Sequence, residues 1–123
     1  MKPAELAVGL GLRPGTPADR ILSAIGEVLG DNPIGCLATL DRRAAEPGLR
    51  AAAEQLTAPI LAYTAEELAQ VDVPTPSSRT HSALGTASVA EAAALLAGAG
   101  RLVVTKRTVD AIVIAAAHFA GHR

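Results

Sequence analysis

Residues 35–49, Gly-Cys-Leu-Ala-Thr-Leu-Asp-Arg-Arg-Ala-Ala-Glu-Pro-Gly-Leu, constrain the fold more than any other stretch of the chain. A short apolar run ends abruptly in charge, and a helical pattern follows. Residues 36–40 are too few for a helix and are bounded by Gly35 and Asp41, which predicts a strand covered on both faces. Pro47 suits the first turn of the next helix, where its missing N–H costs nothing. Glu46 before it can cap the free amides and meet the positive end of the helix dipole. Asp41, Arg42, Arg43 and Glu46 should therefore crowd the crevice beyond a strand's carboxyl end, where open α/β sheets bind ligands.

The same alternation runs through the rest of the chain. Residues 6–12 read as a first strand, followed by the turn Arg13-Pro-Gly-Thr and a helix over 17–29 with Thr16 as N-cap, Pro17 in the first helical position and Asp19 three residues after the cap. Ile21, Leu22, Ile25, Val28 and Leu29 give that helix one apolar stripe. Residues 30–33 break it. The alanine-rich stretch 47–56 is the second helix, and 58–63 the third strand. Thr64-Ala-Glu-Glu is a capping box opening a short helix that ends near Val71. From 72 to 87 prolines, serines and threonines predominate without periodicity, and a loop of that length in a small domain is usually functional or mobile. Ser88-Val-Ala-Glu reads as a second capping box, for a helix ending at Gly98 and Gly100. Residues 102–105 and 109–117 are the last strands, too close together for a parallel crossover, so they must form an antiparallel hairpin.

These elements predict a three-layer α/β/α sandwich with a mostly parallel five-stranded sheet and one antiparallel strand from the C-terminal hairpin, in a single domain over 1–123. Right-handed crossovers bring the turns after the first three strands to one edge. That edge would carry Arg13, the 41–46 cluster and Thr64, with Lys106 ending the fourth strand.

Composition narrows the partners. With 123 residues the chain can bury roughly two-thirds of its unfolded surface around one core. Tyr63 and Phe119 are the sole aromatic residues, so base-stacking platforms are missing. A net charge of −1 offers no general attraction to nucleic acid or to an anionic membrane. The charge is nonetheless uneven: residues 79–123 hold five bases and two acids, which allows a local anion site there. No segment reaches the roughly 20 apolar residues of a membrane helix. A single cysteine, Cys36, excludes an intrachain disulfide and fits a reducing cytoplasm.

Other motifs weigh less. Gly9-x-Gly11-x-x-x-Gly15 resembles a dinucleotide fingerprint but is one residue too long, and Pro14 and Pro17 stiffen it. His118 and His122 stand four apart, a spacing used by helical metal ligands, yet they follow the last strand, so no metal is expected. Cys36 inside a strand reads as a buried structural thiol. His81, in the long loop, is the histidine placed where a general acid or base could act.

Six segments taken together carry a resemblance. Val8-Gly-Leu-Gly-Leu-Arg-Pro-Gly-Thr, Ala38-Thr-Leu-Asp with Glu46-Pro-Gly-Leu, Tyr63-Thr-Ala-Glu-Glu-Leu, Val73-Pro-Thr-Pro-Ser, Gly85-Thr-Ala-Ser-Val-Ala-Glu-Ala-Ala-Ala-Leu and Lys106 before a final strand stand in one order over roughly 5–116. They resemble the CobE and CbiG C-terminal domain family of cobalamin (vitamin B12) biosynthesis. CbiG proteins open the lactone of a cobalt-bound precorrin and release acetaldehyde. The chain leaves no room for the domains preceding this one in CbiG and looks like the stand-alone members.

The resemblance implies binding of a precorrin or corrin tetrapyrrole, as carrier or accessory factor in the cytoplasm and with no cofactor. The expected binding residues are Arg13, Asp41, Arg43, Ser77, Gly85, Thr86, Ser88 and Lys106. Arg43 stands where the family usually has lysine, and a fixed guanidinium suits a carboxylate. The alternative is a hydrolase opening a precorrin lactone, with Glu46 or His81 as acid or base and the amides near Ser88 holding an oxyanion. A third reading is a structural partner of other pathway enzymes. The hairpin at the sheet edge also offers a surface on which a second copy could pair as a homodimer.

Overall fold

The computed structural model describes residues 5–30, 32–71, 86–98 and 102–119, with backbone alone for 86–88. Along the chain these form β1 (Glu5–Gly11), α1 (Ala18–Leu29), β2 (Ile34–Leu40), α2 (Asp41–Ala44) and α3 (Pro47–Leu56). There follow β3 (Ile60–Tyr63), α4 (Ala65–Ala69), α5 (Thr86–Ala97), β4 (Leu102–Val109) and β5 (Ile112–Phe119). The described strands make one five-stranded sheet in the order β3-β2-β1-β5-β4. β1, β2 and β3 pair in parallel, and β5 lies antiparallel to both β1 and β4. β5 is thus the one reversed strand, as the C-terminal hairpin requires, and β4 ends at the same edge as β1, β2 and β3.

Strand alternation builds two unlike faces. Leu6, Val8 and Leu10 of β1 and Ile112, Ile114 and Ala116 of β5 pack with Ile21, Ile25 and Leu29 of α1 and with Leu49 and Ala53 of α3. The opposite face meets α5 through small side chains, with Ala115 and Ala117 against Ala90 and Ala94. A Cβ at Gly9 would lie 1.9 Å from the Ala90 carbonyl oxygen, so α5 sits closer to β1 than any side chain there would permit. Large aliphatic residues predominate in one layer, while in the other alanines line the contact of α5 with β1 and β5 and Leu68 and Val89 fill the space beside it.

Local signals mostly resolve as expected. Pro47 opens α3, and the Thr64 box is complete: the Thr64 hydroxyl accepts the Glu67 amide and the Glu67 carboxylate accepts the Thr64 amide. Four details differ. Pro17, extended at φ −75° and ψ 155°, occupies the N-cap of α1, while the Thr16 hydroxyl donates instead to the Arg13 carbonyl. A short helix, α2, follows β2 directly. β4 runs on to Val109, so the hairpin turn is Asp110-Ala111 and Lys106 lies inside the strand. Finally, α5 begins at Thr86, which puts Ser88 within its first turn and not at its cap.

Of the loop expected over 72–87, residues 72–85 lie outside the described residues, and Thr86 and Ala87 belong to α5. No helix among the described residues is long and apolar enough to cross a membrane.

Candidate functional site

The carboxyl edge of the sheet is built from the turns that follow β1 and β2. At its base the buried Thr39 hydroxyl donates to the Leu10 carbonyl at 2.8 Å, tying the two strand ends together. Above it, Arg43 Nε donates to the Leu12 carbonyl at 3.2 Å, and Glu46 Oε1 accepts the Gly15 amide at 2.9 Å. Gly15 sits at φ 82°, a conformation glycine adopts without penalty. Gly48, in the first turn of α3, faces the Thr16 carbonyl so closely that a Cβ would lie 2.0 Å from it. The loop after β1 is therefore fastened by two hydrogen bonds to the segment after β2, with Gly48 in close approach to it.

The position of Glu46 before Pro47 predicts a cap for α3; its carboxylate makes no such bond and reaches across to Gly15. Local proximity favours the cap, but the two turns stand side by side, which puts the Gly15 amide within reach of the carboxylate.

Beside this loop lies a depression of about 220 Å³, lined by Arg13, Gly15, Thr16, Arg20, Asp110 and Ala111 among others. Arg13 is exposed there. Arg20, in the first turn of α1, faces Asp110 of the β4–β5 turn, Nε to Oδ2 at 3.7 Å. Neither Arg20 nor Asp110 carries a motif, and only the hairpin turn brings them together.

Arg13, Asp41, Arg43 and Glu46 thus share one edge. Asp41 is exposed at the start of α2, whereas Arg43 and Glu46 are half-buried. Lys106 stands apart from them, half-buried in β4, three residues before the strand's end. Here β4 slips against β5 between Val104 and Arg107. Such a bulge turns an amide out of the ladder. The Lys106 N–H donates to Glu91 Oε2 at 3.0 Å, and Glu91 is wholly buried in α5.

The spacing from Ser88 predicts that Glu91 closes a capping box; in the fold its carboxylate accepts an amide of the bulged strand. A carboxylate buried in this way is a feature that sequence reading misses, because the same Ser-x-x-Glu spacing suits a cap. Thr86 and Ser88 lie in the first turn of α5, and Ser77, His81 and Gly85 lie outside the described residues.

Cys36 is buried with no partner thiol. Burial, with the Glu5 carboxylate adding to it and a backbone hydrogen bond at Val8 opposing it, pushes the thiol from 9.0 up to about 11. It is not a nucleophile at neutral pH. His118 pairs with Leu6 near the opposite edge of the sheet, and among the described residues no group of three or more side chains could hold a metal ion. Chemically, the edge offers guanidinium groups on a stiffened loop, an arrangement suited to carboxylate recognition.

Comparison with known proteins agrees with this fold. Residues 6–117 match the family model described as cobalamin synthesis G C-terminus. The chain is 34% identical over 122 residues to a protein CobE of Sinorhizobium sp., covering 92% of this chain and 79% of that one. It is similar to the crystal structure of CobE, a protein from the cobalamin biosynthetic pathway, with a TM-score of 0.79 and 32% identity over 99% of this chain and 95% of that one. It also resembles the cobalamin biosynthesis protein chiG of Agrobacterium tumefaciens, with a TM-score of 0.66 and 26% identity over 94% and 98% of the two chains.

Proposed function

This chain belongs to the cobalamin synthesis G C-terminus family, and we propose that its part in cobalamin biosynthesis is to bind a precorrin or corrin intermediate and hand it to the next enzyme of the pathway. The observation that carries this reading is Arg13, an exposed cation on a loop that Arg43 and Glu46 hold in place. A corrinoid precursor is a flat apolar ring edged with carboxylates. Pro14, Pro17 and Ala111 beside Arg13 supply apolar contact, and the guanidinium supplies the charge.

Two features favour a carrier over the alternatives. Of the two residues named as acid or base for a lactone-opening hydrolase, Glu46 already accepts the Gly15 amide, a task that explains it without chemistry. A purely structural partner needs an apolar docking patch of several hundred Å². The large apolar side chains exposed among the described residues are Leu96 and Val103 alone.

The test is a spectroscopic titration with hydrogenobyrinic acid, a late precursor bearing free carboxylates. Saturable binding that Arg13→Ala weakens about tenfold, as loss of a charge-assisted contact predicts, supports the reading. Absence of binding by the wild-type protein at high concentration overturns it for this ligand. Hydrolysis of a lactone-bearing precorrin by the wild type, abolished in Glu46→Gln, would establish the enzyme in its place.

A further inference from the structure

We propose that Arg13 and Arg20 form a subsite for one carboxylate arm of the ligand, and that Asp110 is a built-in competitor which the arm displaces from Arg20. The inference rests on the binding role proposed above and adds the point of attachment. Three separate segments build the subsite. Arg13 comes from the loop after β1, Arg20 from the first turn of α1, and Asp110 from the turn between β4 and β5, and all three line the same depression.

The depression of about 220 Å³ falls below the roughly 300–1,000 Å³ of pockets that enclose a drug-sized ligand. It admits an acid side arm, while the ring itself must lie outside over the edge. The Arg20–Asp110 pair suits exchange. Its 3.7 Å separation is longer than a good charge-assisted hydrogen bond, and the side chains are 56% and 61% exposed, so water screens the attraction.

Asp19, the other carboxylate next to Arg20, turns back onto the Arg20 amide at 3.0 Å. Asp110 is therefore the carboxylate that meets the guanidinium. It stands in a two-residue turn at φ 56° and lines the depression. A ligand carboxylate bound by both guanidiniums gains more than Asp110 loses on returning to water.

The unusual consequence is a gain of binding on removing a charged residue. Hydrogenobyrinic acid is titrated into wild type, Arg20→Ala and Asp110→Asn, and the same ring with its carboxylates converted to amides is titrated in parallel. Both positions are exposed, alanine suits a helix, and asparagine tolerates the positive φ, so both variants should fold. The subsite predicts that Arg20→Ala binds the acid about tenfold more weakly and Asp110→Asn about threefold more tightly. It also predicts that the amide form responds to neither substitution. Wild-type binding with Arg20→Ala unaltered, or with Asp110→Asn no tighter, overturns the subsite and leaves the carrier role standing. Failure of the wild type to bind the acid at all overturns both.

Discussion

Glu46 Oε1 accepts the backbone N–H of Gly15 at 2.9 Å across 31 residues of sequence, so a carboxylate that begins one helix fixes the loop leading into another. The bond separates two roles that the residue type alone would confuse. If Glu46 positions the loop, Glu46→Gln keeps an acceptor oxygen and binds the corrinoid probe as the wild type does, whereas Glu46→Ala loses about 0.5–1.5 kcal/mol of stability and weakens binding. Urea midpoints and probe titrations on both variants check this. A Gln variant as impaired as the Ala variant would show that the charge itself is needed.

Gly48 predicts an inverted helix-propensity effect. Replacing glycine by alanine inside an open helix stabilises by roughly 0.5–1 kcal/mol. At Gly48 the added methyl would meet the Thr16 carbonyl at 2.0 Å, so Gly48→Ala should destabilise by about 1–3 kcal/mol. Gly26 in α1, where an added methyl would have no neighbour within 4 Å, supplies the control: Gly26→Ala should stabilise. Denaturation midpoints shifted in opposite directions in the two variants are the expected outcome.

The β4–β5 turn stores strain in Ala111, a non-glycine residue at φ 66° next to Asp110 at φ 56°. Two-residue hairpin turns with both central residues at positive φ favour Asn-Gly or Asp-Gly. Ala111→Gly should therefore raise stability by about 1 kcal/mol, read as a higher thermal midpoint, without altering the Asp110 carboxylate.

Cys36 predicts a loss of stability at alkaline pH. Its folded-state pKa of about 11 exceeds the ordinary 9.0, so between these values the unfolded chain has released the thiol proton while the folded chain keeps it. The unfolded state then binds fewer protons, and stability falls as pH rises, by about 1.4 kcal/mol per pH unit at most and roughly 2–3 kcal/mol in all. Below pH 9 the contribution is fully present. Tyr63, raised mainly by burial and further by Cys36 and Glu67, acts with the same sign at higher pH. Urea unfolding from about pH 8 to about pH 11 should show a steeper decline for wild type than for Cys36→Ala, and equal slopes would refute the assignment.

Much of the architecture was legible because short-range forces wrote it. Pro47 at the start of α3, the Thr64–Glu67 box and the antiparallel C-terminal hairpin each depend on residues a few positions apart. The convergence of Arg13, Asp41, Arg43 and Glu46 was legible too, since successive β-α units place their turns at one edge. Arg20 and Asp110 were not, because most of the chain separates them and neither belongs to a motif.

The sequence by itself determined the alternation of strands and helices, the aliphatic core and the edge where the charged turns gather. Tertiary structure alone decided where Glu46 and Glu91 find their long-range partners. Thr64-Ala-Glu-Glu and Ser88-Val-Ala-Glu carry the same capping pattern, yet Glu67 returns to its own helix start while Glu91 is buried and accepts the Lys106 amide. A cap is settled within four residues, by backbone geometry that the pattern encodes. The demand of a bulged strand for an acceptor arises only once α5 has packed on the sheet, where a half-buried N–H left unbonded would cost a hydrogen bond.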